Sequence, residues 1–361
     1  GTRRSRLPIT QVGEDVIGVL LLEARQPGVF TQTDLAVYQI MADHLAVSIA
    51  NSRQFERSQR TRLVEDVIVA LAEQVSQTTD PERVLTIGWQ QQSVSEAMWA
   101  LSFPIPFQQQ LVAGAGGYFA PFIREYMRRS GAPDDIGILV ALKDRLNALK
   151  NPYAHLHEPD ITYDSIKESF MLWEPIRYAE TCPSSDGAFA MVLGGERAAE
   201  EAQAATGVPP AWIHATAMRS EPSTASGRDQ VRPQASLDCA ADLYRQAGIT
   251  DPRAQIDVAE IYVPFSWYEP MWMEGLLFAE EGDGWKMTES GATALTGDLP
   301  VNCSGGVLST NPIGASGMIR FGEAAMQVRG QAGDHQVDGA RVALGHAYGG
   351  AAQFYAMWIV S

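Results

Sequence analysis

The stretch at residues 301–317, VNCSGGVLSTNPIGASG, restricts the chain more than any other. Gly305-Gly306, the Pro312 turn and the run Gly314-Ala315-Ser316-Gly317 make a loop almost free of bulky side chains, and an alanine-rich helical segment follows at 317–329. A loop of this kind lets a ligand approach the main chain closely and points a helix N-terminus at it. The segment is therefore read as a binding site, not a linker.

Around that loop the chain reads as a globular α/β protein. A length of 361 residues with an apolar share of 45% provides for a sizeable core and two or three structural units. The 43 acidic against 27 basic residues give a net charge of -16, which argues against a nucleic-acid or anionic-membrane surface. Cys182, Cys239 and Cys303 are odd in number and lack a CxxC pair, so no disulfide framework is expected, and a reducing cytoplasm fits. No apolar stretch has the length of a membrane span or the flanks of a signal peptide.

In order, residues 16–22 (VIGVLLL) predict a buried strand, and Thr31 with Asp34 opens a long helix. A second amphipathic helix is expected at 63–75, and residues 78–82 have the form of another helix cap. The character changes near 87–95, where a junction is placed. Helices follow at 118–130 and 136–149, Thr162 or Asp164 can cap a short one, and a strand is expected at 189–193 after Cys182-Pro183-Ser184-Ser185-Asp186-Gly187. Residues 220–234 read as a flexible loop between two halves. Beyond it come a helix at 235–247, a strand at 257–263 alternating in and out, a helix at 270–280, and a final pair of strands.

The 301–317 loop resembles the signature of the thiolase superfamily, an Asn, two residues, Gly-Gly, then GHPIGASG, and is most similar to that of its lipid-transfer-protein-like branch. Asn311 stands where thiolases place a histidine. With this loss and the ending LGHAYGGAAQFYAMWIV, residues of about 98–361 resemble the steroid side-chain aldolases of that branch. Residues of about 7–55 resemble the C-terminal end of a GAF domain. The resemblances imply a thiolase-like layered α/β/α/β/α fold with an incomplete N-terminal half, preceded by a partial GAF α+β segment. The corresponding divisions are 1–62, a helical linker at 63–95, the rest of the thiolase N-terminal half with its cap loops at 96–222, and the C-terminal half at 223–361. They further imply an acyl-CoA substrate, a homodimer, a small OB-fold partner protein, and no metal or redox cofactor.

The three thiolase roles are vacant: the segment that carries the nucleophilic cysteine is absent, the loop histidine is Asn311, and the C-terminal Cys-x-Gly position falls in 346–350 without a cysteine. Retro-aldol cleavage needs a base for a hydroxyl proton and a donor for the developing enolate. Tyr348 is the expected acid or base, with His346 as its cationic neighbour or as the proton acceptor itself; alternatively Tyr348 only packs. Asn311 either donates to a thioester oxygen or merely stabilises the turn before Pro312. By resemblance Gly314, Ala315, Ser316, Gly317, Gly349 and Gly350 lie against the CoA chain. Tyr262 and Tyr268 form an aromatic surface for a flat substrate or belong to the core. Cys303 reads as a buried inert thiol, and His155-x-His157 with Glu158 as a solvated loop in preference to a metal site. Two further functions stay open: an acetyl-CoA acetyltransferase-type thiolase, and a non-catalytic fusion of a GAF remnant with a truncated thiolase.

Overall fold

The computed structural model describes residues 3–10, 16–24, 83–90, 114–222 and 227–361. The helices expected at Thr31 and at 63–75, and most of the GAF resemblance, lie outside them. The chain divides into two compact units, Gly1–Gln77 with Gln91–Gln110, and Thr78–Gln90 with Leu111–Ser361. In the first, strand β1 (Arg3–Thr10) pairs antiparallel with β2 (Val16–Ala24), the strand expected from VIGVLLL.

The second unit holds the site. Its first strand, β3 (Arg83–Gln90), falls inside the segment read as a helical linker, and the helix cap expected at 78–82 lies outside the described residues. The run Val84, Leu85, Ile87 and Trp89 is rich in β-formers, and β3 pairs antiparallel along its whole length with β6 (Gly187–Gly194). Between them come α1 (Gly114–Ser130), α2 (Ile136–Ala148), α3 (Tyr163–Lys167) and the short pair β4 (Met171–Trp173) and β5 (Ile176–Arg177). Thr162 caps α3 by accepting from the N–H of Ser165, whose hydroxyl oxygen in turn accepts from the N–H of Thr162. After β6 run α4 (Glu196–Thr206), β7 (Ile213–Ser220), α5 (Gln234–Ala247), β8 (Val258–Ile261), α6 (Tyr268–Gly275), α7 (Gly284–Glu289), α8 (Gly306–Ser309), α9 (Ile313–Val328), β9 (Ala343–Gly349) and β10 (Phe354–Val360).

The larger sheet has the order β7-β10-β9-β8, parallel only between β8 and β9. Helix α5 covers its β7–β10 side, and α9 lies between this sheet and the β3–β6 pair, on whose β6 strand α4 packs. The result is an α/β/α/β/α layering with α9 in the middle, the layered α/β architecture expected. Gly322 makes the middle layer thin: a Cβ there would lie 2.0 Å from the Phe189 ring of β6. Among the described residues no helix is long and apolar enough to cross a membrane.

Three local expectations need correction. Strand β8 does not alternate; all four residues are buried, because α9 and α8 both pack on it. Helix α9 starts at Ile313, so 314–317 are its first turn and not a loop before it. Residues 227–233 are no open linker, since Gln230 and Val231 are buried.

The loop before α9 is set by its glycines and by Asn302. Asn302 has φ 54°, its Oδ1 accepts from the N–H of Ile261 at 2.9 Å, and its carbonyl accepts from Asn147 Nδ2 at 3.1 Å. Gly305 has φ 89° and sits so close to α2 that a Cβ would meet the Ala148 backbone nitrogen at 2.9 Å. Gly305→Ala therefore combines backbone strain with overpacking and is expected to destabilise the protein by about 3 kcal/mol, read from urea unfolding midpoints. A loss below about 1 kcal/mol would mean that the α2 contact yields freely.

Candidate active site

Strand β9 carries His346 and Tyr348, two apart and therefore on one face. Tyr348 lies in an aromatic cluster with ring centroids 4.9 Å from Trp272, 5.2 Å from Tyr262, 5.9 Å from Tyr268 and 6.2 Å from its cross-strand partner Tyr355. Its hydroxyl is buried without a hydrogen-bond partner. Burial, reinforced by the neighbouring phenols, holds its pKa well above the ordinary value of 10.0. Tyr348 is a protonated phenol, suited to donating a proton or a hydrogen bond and not to removing one.

His346 does not supply the cation expected beside it. The ring is fully buried, and desolvation lowers its pKa from 6.5 to about 3. Nδ1 accepts from the N–H of Tyr262 at 3.4 Å, which puts the hydrogen on Nε2, so the ring is a poor proton acceptor as well. His346 acts as a wall of the cluster, 5.5 Å from Trp272. Its folded pKa lies below its unfolded value, so its contribution to stability is complete above pH 6.5 and is lost as pH falls toward about 3. At 1.36 kcal/mol per pKa unit the loss amounts to roughly 5 kcal/mol at the acid end. His346→Gln removes this titration, and comparing its unfolding free energy with the parent's between pH 7 and 4 should show the parent losing more.

Asn311 is the node of a second set of contacts. Its Oδ1 accepts from the hydroxyls of Tyr262 at 3.2 Å and Ser316 at 2.9 Å, and its Nδ2 donates to Cys182 Sγ at 3.1 Å. Its backbone exchanges hydrogen bonds with Ser185, and Ser185 Oγ lies 2.8 Å from Nδ1 of His155. The amide thus joins Ser316 in the first turn of α9 to Tyr262 and to the Cys182 loop. Cys182 is a half-buried free thiol whose pKa desolvation pushes up to about 11, so it is not a ready nucleophile. Cys182, Ser185 and His155 are the site residues that spacing missed, since they lie 126 or more positions from Asn311 along the chain. The first of them carried a signal in CPSSDGA, read there as structural.

The other expected residues divide. Ser316 and Ala315 point inward, whereas Gly314 is exposed and Gly317 half-buried against Ala347. The exposed side of this turn is formed by Ile313 and Gly314. Gly349 ends β9, and Gly350 starts the following turn with φ 59°. Tyr268 is fully buried and Tyr262 nearly so, with its hydroxyl committed to Asn311, so the two belong to the core and offer no flat open surface in this conformation. Cys303 is buried as expected. His155 and His157 diverge, His157 Nε2 meeting the carbonyl of Asn151 at 2.8 Å.

The comparisons with known proteins bear on this arrangement. Residues 217–361 match the family described as thiolase C-terminal domain-like. The acetyl-CoA acetyltransferase of Methanothermobacter thermautotrophicus is 30% identical over 297 residues, covering 82% of this chain and 72% of that protein. Sterol carrier protein 2 of Bos taurus is 28% identical over 68% of this chain, which spans 44% of that protein. The 17-hydroxy-3-oxo-4-pregnene-20-carboxyl-CoA lyase of Mycobacterium tuberculosis is 30% identical over 219 residues, 58% of this chain and 54% of that protein. The solved Ltp2-ChsH2(DUF35) aldolase aligns with a TM-score of 0.65 and 25% identity over 78% of this chain and 72% of that one.

Proposed function

The chain belongs to the thiolase superfamily, in its lipid-transfer-like branch, and from that premise we propose that it cleaves a carbon-carbon bond in a steroid side-chain β-hydroxyacyl-CoA by a retro-aldol reaction. The observation that carries this reading is Tyr348: a protonated phenol with no internal hydrogen-bond partner, on the strand end next to the 311–317 loop. As the β-hydroxyl gives its proton to solvent water and becomes the carbonyl, the bond between the α- and β-carbons breaks and its electron pair remains on the thioester as an enolate. Tyr348 then delivers its proton to the α-carbon and regains one from solvent, releasing a short acyl-CoA and a carbonyl product. Asn311 fixes the geometry through Ser316, Tyr262 and Cys182, and the exposed side of Gly314 with Gly317, Gly349 and Gly350 faces the CoA chain. Similarity to the lyase and to the Ltp2-ChsH2(DUF35) aldolase supports the reaction class and a DUF35-type, OB-fold partner. Homodimerisation and a cytoplasmic location complete the reading.

A second reading, acyl transfer in the manner of an acetyl-CoA acetyltransferase, draws on the relative from Methanothermobacter and on the thiol of Cys182 at Asn311. Incubation of the full chain and its DUF35-type partner with a β-hydroxyacyl-CoA, followed by mass analysis of products and protein, separates the two. Cleavage products with unmodified protein are expected. An acyl adduct on Cys182 without cleavage would replace the aldolase reading by acyl transfer.

A further inference from the structure

The turn that follows Tyr348 is held in a conformation its residues disfavour. Gly350, Ala351 and Ala352 have φ of 59°, 58° and 60°. In that left-handed region an alanine Cβ crowds the following carbonyl, and two successive alanines persist there only where the surroundings fix them. Both are 1% exposed. Arg228 supplies the constraint: its Nη1 donates to the carbonyl of Ala352 at 2.6 Å and its Nη2 to that of Ala351 at 2.7 Å. One planar guanidinium thus spans two successive carbonyls with charge-assisted bonds, which an ammonium group cannot reproduce. The Tyr355 hydroxyl adds a bond to the Ala352 carbonyl at 3.1 Å, and the N–H of Gln353 closes the turn on Gly349 at 2.9 Å.

We propose that Arg228 is a positioning residue for Tyr348, holding the β9–β10 turn left-handed so that the Tyr348 ring stays against Tyr355 and Tyr268. The proposal rests on Tyr348 being the proton donor. Both rings stack on Tyr348, at interplanar angles of 29° for Tyr355 and 26° for Tyr268. Tyr348 pairs with Tyr355 one step from the end of the β9–β10 ladder, so relaxation of the turn releases that pair first. Arg228 enters from the segment after β7, 123 positions before Ala351.

The test uses the full chain with its DUF35-type partner and two variants, Arg228→Met, which keeps the stem and loses the donors, and Arg228→Lys. In Arg228→Met, kcat for cleavage is expected to fall about 100-fold with KM unchanged within about threefold, and dilute guanidinium ion to restore part of the rate. Arg228→Lys falls between. Hydrogen exchange supplies a readout that does not need activity: amides at 350–353 should exchange about tenfold faster in Arg228→Met while those of β8 keep their protection. Unchanged exchange at the turn would overturn the clamp, and faster exchange with unchanged kcat would overturn its catalytic purpose. Absence of cleavage by the parent protein would sink the role given to Tyr348 while leaving the exchange result to decide on the clamp. Should Arg228→Met fail to fold, Arg228→Lys carries both readouts.

Discussion

Tyr348→Phe is expected to lower kcat for retro-aldol cleavage by about 100-fold or more while leaving the affinity for acyl-CoA nearly unchanged. The variant keeps the ring and its contacts with Trp272, Tyr262, Tyr268 and Tyr355, and removes a hydroxyl that has no internal partner. A buried hydroxyl left unsatisfied costs about 1–3 kcal/mol, so its removal should leave the unfolding temperature unchanged or raise it. Lost activity with equal or greater stability is the signature of a group kept for chemistry at the expense of the fold. A Tyr348 that only packs predicts retained turnover at the same stability. Because the phenol stays protonated far above neutrality, the rate between pH 6 and 9 should show no inflection assignable to Tyr348. Steady-state kinetics and thermal unfolding of the same preparations check all three statements.

What could be read from the sequence alone follows the range of the interactions involved. The strand after CPSSDGA, the two closing strands and the helices at 136–148 and 234–247 depend on local patterns and appear where spacing put them. Helix α9 begins four residues early because Pro312 accepts from the N–H groups of Ala315 and Ser316, a bond the Gly-Ala-Ser-Gly composition concealed. Strand β3 was missed since its identity comes from pairing with β6 about a hundred residues later. His346 reads in sequence as a cationic neighbour of Tyr348 or as a proton acceptor, because a histidine beside a tyrosine suggests an acid–base pair; only three-dimensional burial reveals a neutral ring that supplies neither. The convergence of Cys182, Ser185 and His155 on Asn311 likewise joins positions that no period or motif connects. Resemblance found the region of the site, and packing decides what each residue there can do.

The deepest of these long-range contacts predicts the largest loss of stability. Glu260 on β8 and Arg320 on α9 are both buried and form an ion pair. Ser304 joins them, donating to Glu260 through its N–H at 3.0 Å and its hydroxyl at 2.8 Å, and accepting from Arg320 Nη1 at 2.8 Å. The pair therefore fastens the middle helix and the 301–309 segment to the edge strand of the sheet, and with them the first turn of α9 that holds Ser316 against Asn311. Arg320→Met keeps the volume but leaves a carboxylate unpaired in the interior, at an expected cost of about 3–5 kcal/mol. Desolvation already raises the Glu260 pKa, and removal of the guanidinium raises it further. For a carboxyl whose folded pKa exceeds its unfolded value, stability is present below the unfolded pKa and is lost as pH rises through the folded one. The deficit of Arg320→Met against the parent should thus shrink at about pH 4, where Glu260 takes up a proton at little cost. A double variant, Glu260→Gln with Arg320→Met, removes the stranded charge and should recover most of the loss at pH 7. Denaturant unfolding of the three proteins at both pH values gives the comparison, and a deficit that is equal at both and unrelieved in the double variant would show that packing, not charge, holds α9 in place.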